Sequence, residues 1–130
     1  LAKILNQASK TLDIALLCLS DDRLSQIIIR QCRAGVKVRL FADNDMGKTL
    51  VTCDLDELQQ AGIEVRFDRT KAHMHHKFVV VDAKIVVNGS LNWTTGAIRN
   101  NYENIVISHC PELAKTFAAE FELLWSSFAS

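Results

Sequence analysis

The chain has 130 residues, 48% of them hydrophobic, so it can bury one real core but is too short for two comfortable domains. Its 15 acidic and 15 basic residues give a formal net charge of zero, which argues against the whole-molecule attraction to polyanions of a basic DNA-binding protein. Binding of nucleic acid or phospholipid must then come from a local patch. We expect one catalytic domain over residues 1–130.

The spacing of the cysteines does not indicate a zinc site, and the hydropathy of the chain does not indicate a membrane span. Four cysteines lie far apart, at Cys18, Cys32, Cys53 and Cys110. They lack the short spacing of zinc ligands and suit a reducing compartment, although a disulfide between distant pairs stays open. No run approaches the roughly 20 apolar residues of a transmembrane helix. Because the chain begins with Leu1, we expect a membrane anchor or address in a segment that precedes it.

The first half of the chain predicts alternating helices and strands. In chain order they are a helix at 1–12, a strand at 12–17, a helix at 22–34, a strand at 36–41, a helix at 54–61 and a strand at 63–67. Asp21 and Asp54 are candidate N-caps. The glycines of Ala34–Gly35 and Ala61–Gly62 are typical helix stops.

The second half predicts a hairpin, one more strand and a long helix. The apolar runs 77–81 and 84–87 are joined by Asp82–Ala83, and 105–108 is a further strand. The last helix begins at Pro111 and carries an apolar, aromatic face that is expected to be core. The alternation of strands and helices predicts an α/β fold, with a mixed β-sheet flanked by helices.

The stretch from His75 to Asn92 has the spacing H-x-K-x4-D-x6-G-S-x-N. On a strand, residues two apart share a face, so His75 and Lys77 would present an imidazole and a cation to one site. The return strand would bring Ser90 and Asn92 close to them, and both are short polar donors that suit phosphate oxygens. Thr94 can cap a following helix.

This pattern resembles the HKD motif of the phospholipase D superfamily. Glu103, within 100–104, matches an acid of single-motif members. The phrases at 74–78 and 89–95 are most similar to the branch of mitochondrial cardiolipin hydrolases and Zucchini endonucleases, and bacterial periplasmic nucleases are more distantly similar. The resemblance extends from about Leu5 to Phe128. It implies a phospholipase D/nuclease-like fold.

The resemblance also implies a metal-independent phosphodiesterase that needs no cofactor. His75 of one copy would attack phosphorus to form a phosphohistidine, and His75 of a second copy would protonate the leaving oxygen. Lys77, Ser90 and Asn92 would bind the phosphate oxygens. Glu103 would hydrogen-bond the far nitrogen of His75. Because the chain holds one motif, we expect a homodimer with a shared active site.

Two motif residues are expected to be structural. Asp82 lies at the hairpin tip, on the wrong side for direct contact with substrate, and is expected to hold the turn. Gly89 is expected to serve the backbone conformation of the motif. The Zucchini branch also carries a small zinc element based on cysteine and histidine, which this chain does not match. Its substrate and organelle therefore stay open.

The other histidines are weaker candidates. His73 shares the face of His75, and the sequence is equally consistent with His73 lining the groove and with His73 having no functional role. His76 is expected to face away from His75 and to pack in the core or in a dimer interface. A zinc site built from the three is disfavoured, because no acid or cysteine lies at ligand spacing and Lys77 would repel the cation.

Basic and aromatic residues around the motif have two readings. Four basic residues precede the motif, at Lys48, Arg66, Arg69 and Lys71. The sequence is equally consistent with a basic rim that binds a polyanionic strand and with ordinary charged surface residues. Trp93 is expected to pack beneath the site rather than to stack on a base.

The first functional hypothesis is an endonuclease for single-stranded RNA or DNA, with a part in producing small guide RNAs. The alternative is a phospholipase that hydrolyses cardiolipin on the mitochondrial outer membrane, facing the cytosol. A catalytically dead scaffold is disfavoured because all motif residues are present. A narrow basic channel would favour a nucleic-acid strand, and an apolar rim would favour a lipid.

Overall fold

The computed structural model describes residues 1–17, 19–43, 55–71 and 74–128. Its elements are α1 (Ala2–Asn6), β1 (Thr11–Leu16), α2 (Asp22–Arg33), β2 (Lys37–Ala42), α3 (Leu55–Gln60), β3 (Glu64–Phe67), β4 (Lys77–Val81), β5 (Ile85–Gly89), α4 (Thr95–Asn100), β6 (Ile105–Ser108) and α5 (Pro111–Ser127). The strands form one sheet in the order β3-β2-β1-β4-β5-β6. β1, β2 and β3 run parallel, and the pairs β1–β4, β4–β5 and β5–β6 are antiparallel. The predicted mixed α/β fold is confirmed.

The sheet buries a different hydrophobic cluster on each face. Side chains alternate along β1, so Leu12 and Ile14 enter the cluster that contains residues of α1, α2 and α3, whereas Ala15 enters the cluster under α5. In α5, Phe121 and Trp125 are buried and their rings stack 5.6 Å apart. The aromatic face of the last helix is therefore core, as predicted. None of the helices in the described residues is long and apolar enough to cross a bilayer.

Two arginines fasten α5 to the sheet. Arg39 Nε donates to Asp13 Oδ1 at 2.8 Å, and its guanidinium also bonds Glu122 of α5. Arg66 Nη1 donates to the carbonyl oxygen of Trp125 at 2.6 Å, and its Cζ lies 4.2 Å from the Trp125 ring centroid. The suggestion that Arg66 contributes to a basic rim is therefore wrong, because its charge is directed at the last helix.

The first helix is shorter than its apolar spacing predicts. α1 ends at Asn6, and the backbone amides of Ser9, Lys10 and Thr11 donate to the Asp82 carboxylate at 2.7–3.2 Å. Burial alone would raise the pKa of Asp82, but these hydrogen bonds outweigh it and lower the pKa below its ordinary value. Asp82 thus joins the turn of the β4–β5 hairpin to the start of β1.

The predicted caps and stops are largely confirmed. The Asp21 side chain accepts from the backbone amide of Leu24 at 3.1 Å. Gly35 and Gly62 follow α2 and α3 with φ of 100° and 95°, a conformation that costs glycine little. The candidate cap at Asp54 lies outside the described residues.

Gly89 is required by the close approach of β6 to β5. A Cβ at this position would lie 2.1 Å from the carbonyl oxygen of Asn104, which is backbone and cannot swing away. We expect Gly89→Ala to lower the free energy of unfolding by about 2 kcal/mol or more, measured by urea denaturation. Gly96→Ala is the control, because a Cβ there meets nothing within 4 Å. Equal stability of the two variants would show that β5 and β6 adjust freely.

Candidate active site

The motif residues gather at one end of the sheet. β4 begins at Lys77, opposite Leu16 at the end of β1. β5 ends at Gly89, opposite Ile105 at the start of β6. The parallel strands β2 and β3 end at the same edge, which is the usual location of ligand sites in α/β sheets. The residues around the motif are thus brought together by strand ends.

His75 and Lys77 are in contact, although not on a shared strand as predicted. β4 begins only at Lys77, so His75 lies in the irregular segment before it. Lys77 Nζ is 3.3 Å from His75 Nδ1 and 3.4 Å from Nε2, and it donates to the His75 carbonyl oxygen at 3.1 Å. The His75 ring is exposed. An imidazole with an ammonium beside it is therefore open to an incoming phosphate.

Glu103 has different partners from those predicted. Ser90 Oγ donates to Glu103 Oε2 at 2.5 Å, and Asn101 Nδ2 donates to Oε1 at 3.4 Å. Among the described residues no hydrogen bond joins Glu103 to His75 within one chain, because the β5–β6 register places the carboxylate beside Ser90. The backbone of Asn104 completes the link, with its amide donating to Ser90 Oγ at 3.2 Å. Phosphate binding by Ser90 would have to compete with these bonds.

Lys77 has a lowered pKa with opposing causes. Burial lowers the pKa below its ordinary value, and the charge of Glu103 raises it in part. We expect Glu103→Gln to lower the Lys77 pKa further, so that the ammonium loses its proton at a lower pH. A side-chain NMR titration of Lys77 measures this directly, and Glu112→Gln, at the exposed start of α5, is the control. An unchanged or higher Lys77 pKa in Glu103→Gln would contradict the assigned effect of the Glu103 charge.

Trp93 packs in the core and is not open to stacking on a base, as predicted. Its side chain is buried, and its carbonyl oxygen accepts from the amides of Ser20 and Asp21, both at 2.9 Å. The preceding Asn92 is half-buried, and within the described part of the chain its Oδ1 is buried without a hydrogen-bond partner. Thr94 Oγ1 accepts from the Ala97 amide at 3.0 Å and caps α4, as expected. The loop after β5 is thus firmly held, with one unsatisfied acceptor.

The remaining predicted residues lie around or away from the site. Asp82 is at the far end of β4, roughly 16 Å along the strand from Lys77 at about 3.3 Å per residue. His76 Nε2 lies 3.4 Å from Glu120 of α5, and its ring packs edge-on against Phe78. It therefore packs on α5 at the surface rather than in the core. His73 and Lys48 lie outside the described residues, and Arg69 and Lys71 are exposed.

A cleft of about 470 Å³ opens beside His75. Its walls are mainly apolar and include Phe41, Met74, Leu124 and Phe128. They also include the carboxylate of Asp68, which is only 5% exposed. Asp68 was not among the residues predicted for the site. The available signal was its place directly after the strand at 63–67, where parallel strands end.

Three comparisons bear on the family. Residues 1–125 match the family described as "Cardiolipin synthase, PLD-like domain". Proteins named mitochondrial cardiolipin hydrolase are 41% identical over 124 residues in Chlamydomonas reinhardtii and 39% over 128 residues in Homo sapiens. These alignments cover 95% and 98% of this chain but 55% and 50% of the relatives, so the chain spans about half of their length.

Solved structures agree with this assignment at the level of the fold. Nuc from Salmonella typhimurium, described as a phospholipase D family member, superposes with a TM-score of 0.89 at 23% identity, over 98% of this chain and 86% of that one. NucT from Helicobacter pylori gives 0.90 at 20% identity, over 99% and 87%. The resemblance inferred from His75 to Asn92 is confirmed. The chain belongs to the phospholipase D-like family.

Proposed function

We propose that two copies of this chain form one active site that hydrolyses an anionic phospholipid, such as cardiolipin, without a metal ion. The observation that carries this proposal is the contact between the exposed His75 ring and Lys77 Nζ, at an open sheet end beside an apolar cleft. A nucleophile, a cation and an apolar surface are what hydrolysis of a lipid phosphodiester requires.

The reaction has two steps. A ring nitrogen of His75 attacks phosphorus, the bond to the headgroup oxygen breaks, and His75 of the second copy gives that oxygen its proton. Water then attacks the phosphohistidine, losing a proton to the second imidazole, and the bond from nitrogen to phosphorus breaks. Lys77 of each copy balances the negative charge that grows on the non-bridging oxygens. The products are phosphatidic acid and the headgroup alcohol.

A second copy is needed because two imidazoles must act from opposite sides of phosphorus, and one chain carries one motif. An exposed apolar surface next to the site is suited to binding the second copy. β6 is an edge strand of the sheet, and Val106 and Ile107 on it are 64% and 41% exposed. Tyr102, one residue before Glu103, is fully exposed. A two-fold axis near this surface would bring two identical half-sites together. The unpartnered Asn92 Oδ1 is a candidate acceptor for a group from substrate or partner.

The lining of the cleft favours a lipid over a nucleic-acid strand. Its walls are mainly apolar, and the buried carboxylate of Asp68 among them would repel a chain of phosphates. Of the four cations considered for a basic rim, Arg66 is directed at α5. The names of the relatives also favour cardiolipin. By the same similarity we propose a site on the mitochondrial outer membrane, facing the cytosol, with attachment through a segment outside this sequence.

Cleavage of single-stranded RNA or DNA is the second candidate, including a part in producing small guide RNAs. Two observations favour it: Arg69 and Lys71 are exposed close in sequence to His75, and the fold matches the proteins named Nuc and NucT. A strand held by these cations would pass outside the apolar cleft.

The two candidates are separated by offering both substrates to the same dimer. Cardiolipin vesicles and labelled single-stranded RNA are incubated with excess chelator, each beside a His75→Ala control. We expect hydrolysis of cardiolipin, and a phosphohistidine on His75 when the reaction is quenched without acid and examined by mass spectrometry. Cleavage of RNA alone would replace the first candidate by the second. Activity that disappears with chelator and returns with added zinc or magnesium would refute the metal-independent mechanism.

A further inference from the structure

The cleft beside His75 contains a carboxylate with unused hydrogen-bonding capacity. Asp68 is 5% exposed, and Oδ1 accepts from the Thr70 backbone amide at 2.9 Å. That amide is the one hydrogen-bond donor to the Asp68 carboxylate within the described ranges, so Oδ2 can still accept. Its backbone is fixed as well, because the Asp68 amide donates to the Ala42 carbonyl oxygen at 3.0 Å at the end of β2. Because Asp68 lines the cleft, Oδ2 is placed to accept from a donor group of a ligand bound there.

The surroundings of Asp68 restrict what that ligand group can be. A carboxylate repels phosphate, so the reacting phosphorus must stay at His75 and Lys77 while another part of the substrate enters the cleft. The remaining walls include two phenylalanine rings, Phe41 and Phe128, whose centroids are 5.5 Å apart. Such walls accept short carbon chains, and the faces of such rings also attract cations. Because the carboxylate accepts hydrogen bonds, the ligand group must also carry an O–H or N–H donor.

We propose that this cleft binds the headgroup alcohol of the phospholipid, and that Asp68 selects headgroups with a hydrogen-bond donor on the carbon next to the ester carbon. This inference rests on the proposed function and deepens it. The donor is a hydroxyl, as in a glycerol headgroup, or an ammonium, as in an ethanolamine headgroup. Asp68 is then a specificity-determining residue that contacts the leaving group and takes no part in the bond changes at phosphorus.

Three synthetic phospholipids that differ in one heavy atom test the proposal. Their acyl chains are the same, and their headgroups are ethylene glycol, ethanolamine and propanol, which end in a hydroxyl, an ammonium and a methyl group. Each is presented to the 130-residue chain, as the dimer, in the same mixed micelles. We expect kcat/KM for the hydroxyl or ammonium lipid to exceed that for the methyl lipid by roughly tenfold or more, as for a hydrogen bond to a charged acceptor.

Asp68→Asn is the informative variant. Its amide oxygen can keep the bond from Thr70, while an NH₂ group replaces the accepting Oδ2. We expect the preference for the ammonium lipid over the propanol lipid to fall to about onefold, because an NH₂ group cannot accept from an ammonium, whereas the hydroxyl lipid can still accept from that NH₂. Asp56→Asn, the same change at an exposed position of α3, should retain the preference. Taking the ratio of wild type to variant for each lipid removes differences in binding to micelles.

The outcomes separate the inference from the proposed function. Hydrolysis of none of the three lipids by the wild-type chain would overturn the proposed phospholipase and this inference with it. Equal hydrolysis of all three, or an unchanged preference for the ammonium lipid in Asp68→Asn, would overturn the inference and leave the phospholipase standing. If Asp68→Asn does not fold, Asp68→Glu is the second variant to test. It keeps the negative charge and should retain part of the preference for donor headgroups.

Discussion

Replacing His75 by alanine is expected to reduce phosphodiester hydrolysis by on the order of 10³-fold or more. In the proposed dimer this single change removes both the nucleophile and the general acid, since each copy supplies one. The fold should be unaffected, because the His75 ring is exposed and its contacts are with Lys77. Initial rates with a soluble phosphodiester, together with thermal unfolding of the same preparation, measure the effect.

His76→Ala is the matched control for this loss. His76 is the next residue along the chain, and it pairs with Glu120 and packs on Phe78 of β4. We expect its removal to change the rate by less than about tenfold, as for a residue that holds α5 rather than the substrate. A comparable loss in both variants would point to a structural effect on the segment before β4. A nearly normal rate in His75→Ala would remove the nucleophile from the mechanism.

Replacing Lys77 by methionine is the second change with a large expected effect, a loss of roughly 10²- to 10³-fold in kcat. Methionine keeps most of the length and the packing of lysine but removes the charge that faces the phosphate oxygens. Because this charge matters most as negative charge grows in the transition state, kcat should fall more than KM rises. Steady-state kinetics with one substrate over a wide concentration range separates the two parameters.

Lys84→Met controls for the general loss of a positive charge. Lys84 is exposed at the hairpin turn, at the other end of β4 from Lys77. We expect its rate to be close to that of the unchanged chain. If Lys77→Met raised KM and left kcat unaltered, the ammonium would serve binding of the ground state alone, and its assigned role would be wrong.

Strong local signals in the sequence explain why most of the fold was predictable. Asp21 as an N-cap, the glycine stops at Gly35 and Gly62, and the Asp82–Ala83 turn each fix a boundary through backbone geometry that few residues can satisfy. The first helix was overestimated because apolar spacing in 1–12 does not reveal that the Asp82 carboxylate, 71 residues beyond Thr11, takes the backbone amides before β1.

The sequence predicted which residues form the candidate site, but it did not predict all of the contacts between them. Spacing indicated that His75 and Lys77 meet, and their contact is present even without a shared strand. The pairing of Glu103 with Ser90 depends on the β5–β6 register, which local spacing does not determine. The contact of Arg66 with Trp125 was not predictable, because a basic residue of a strand gives no sign of an aromatic helix partner 59 residues away.

The central claim is that one active site requires His75 from two chains, and a mixing experiment tests it most directly. Wild-type and His75→Ala chains are mixed, unfolded and refolded, with random pairing checked by native mass spectrometry. If both imidazoles are needed, activity follows the square of the wild-type fraction, so an equal mixture retains about a quarter of full activity. A linear dependence, with about half of the activity in an equal mixture, would contradict the shared site and require a second catalytic group within each chain.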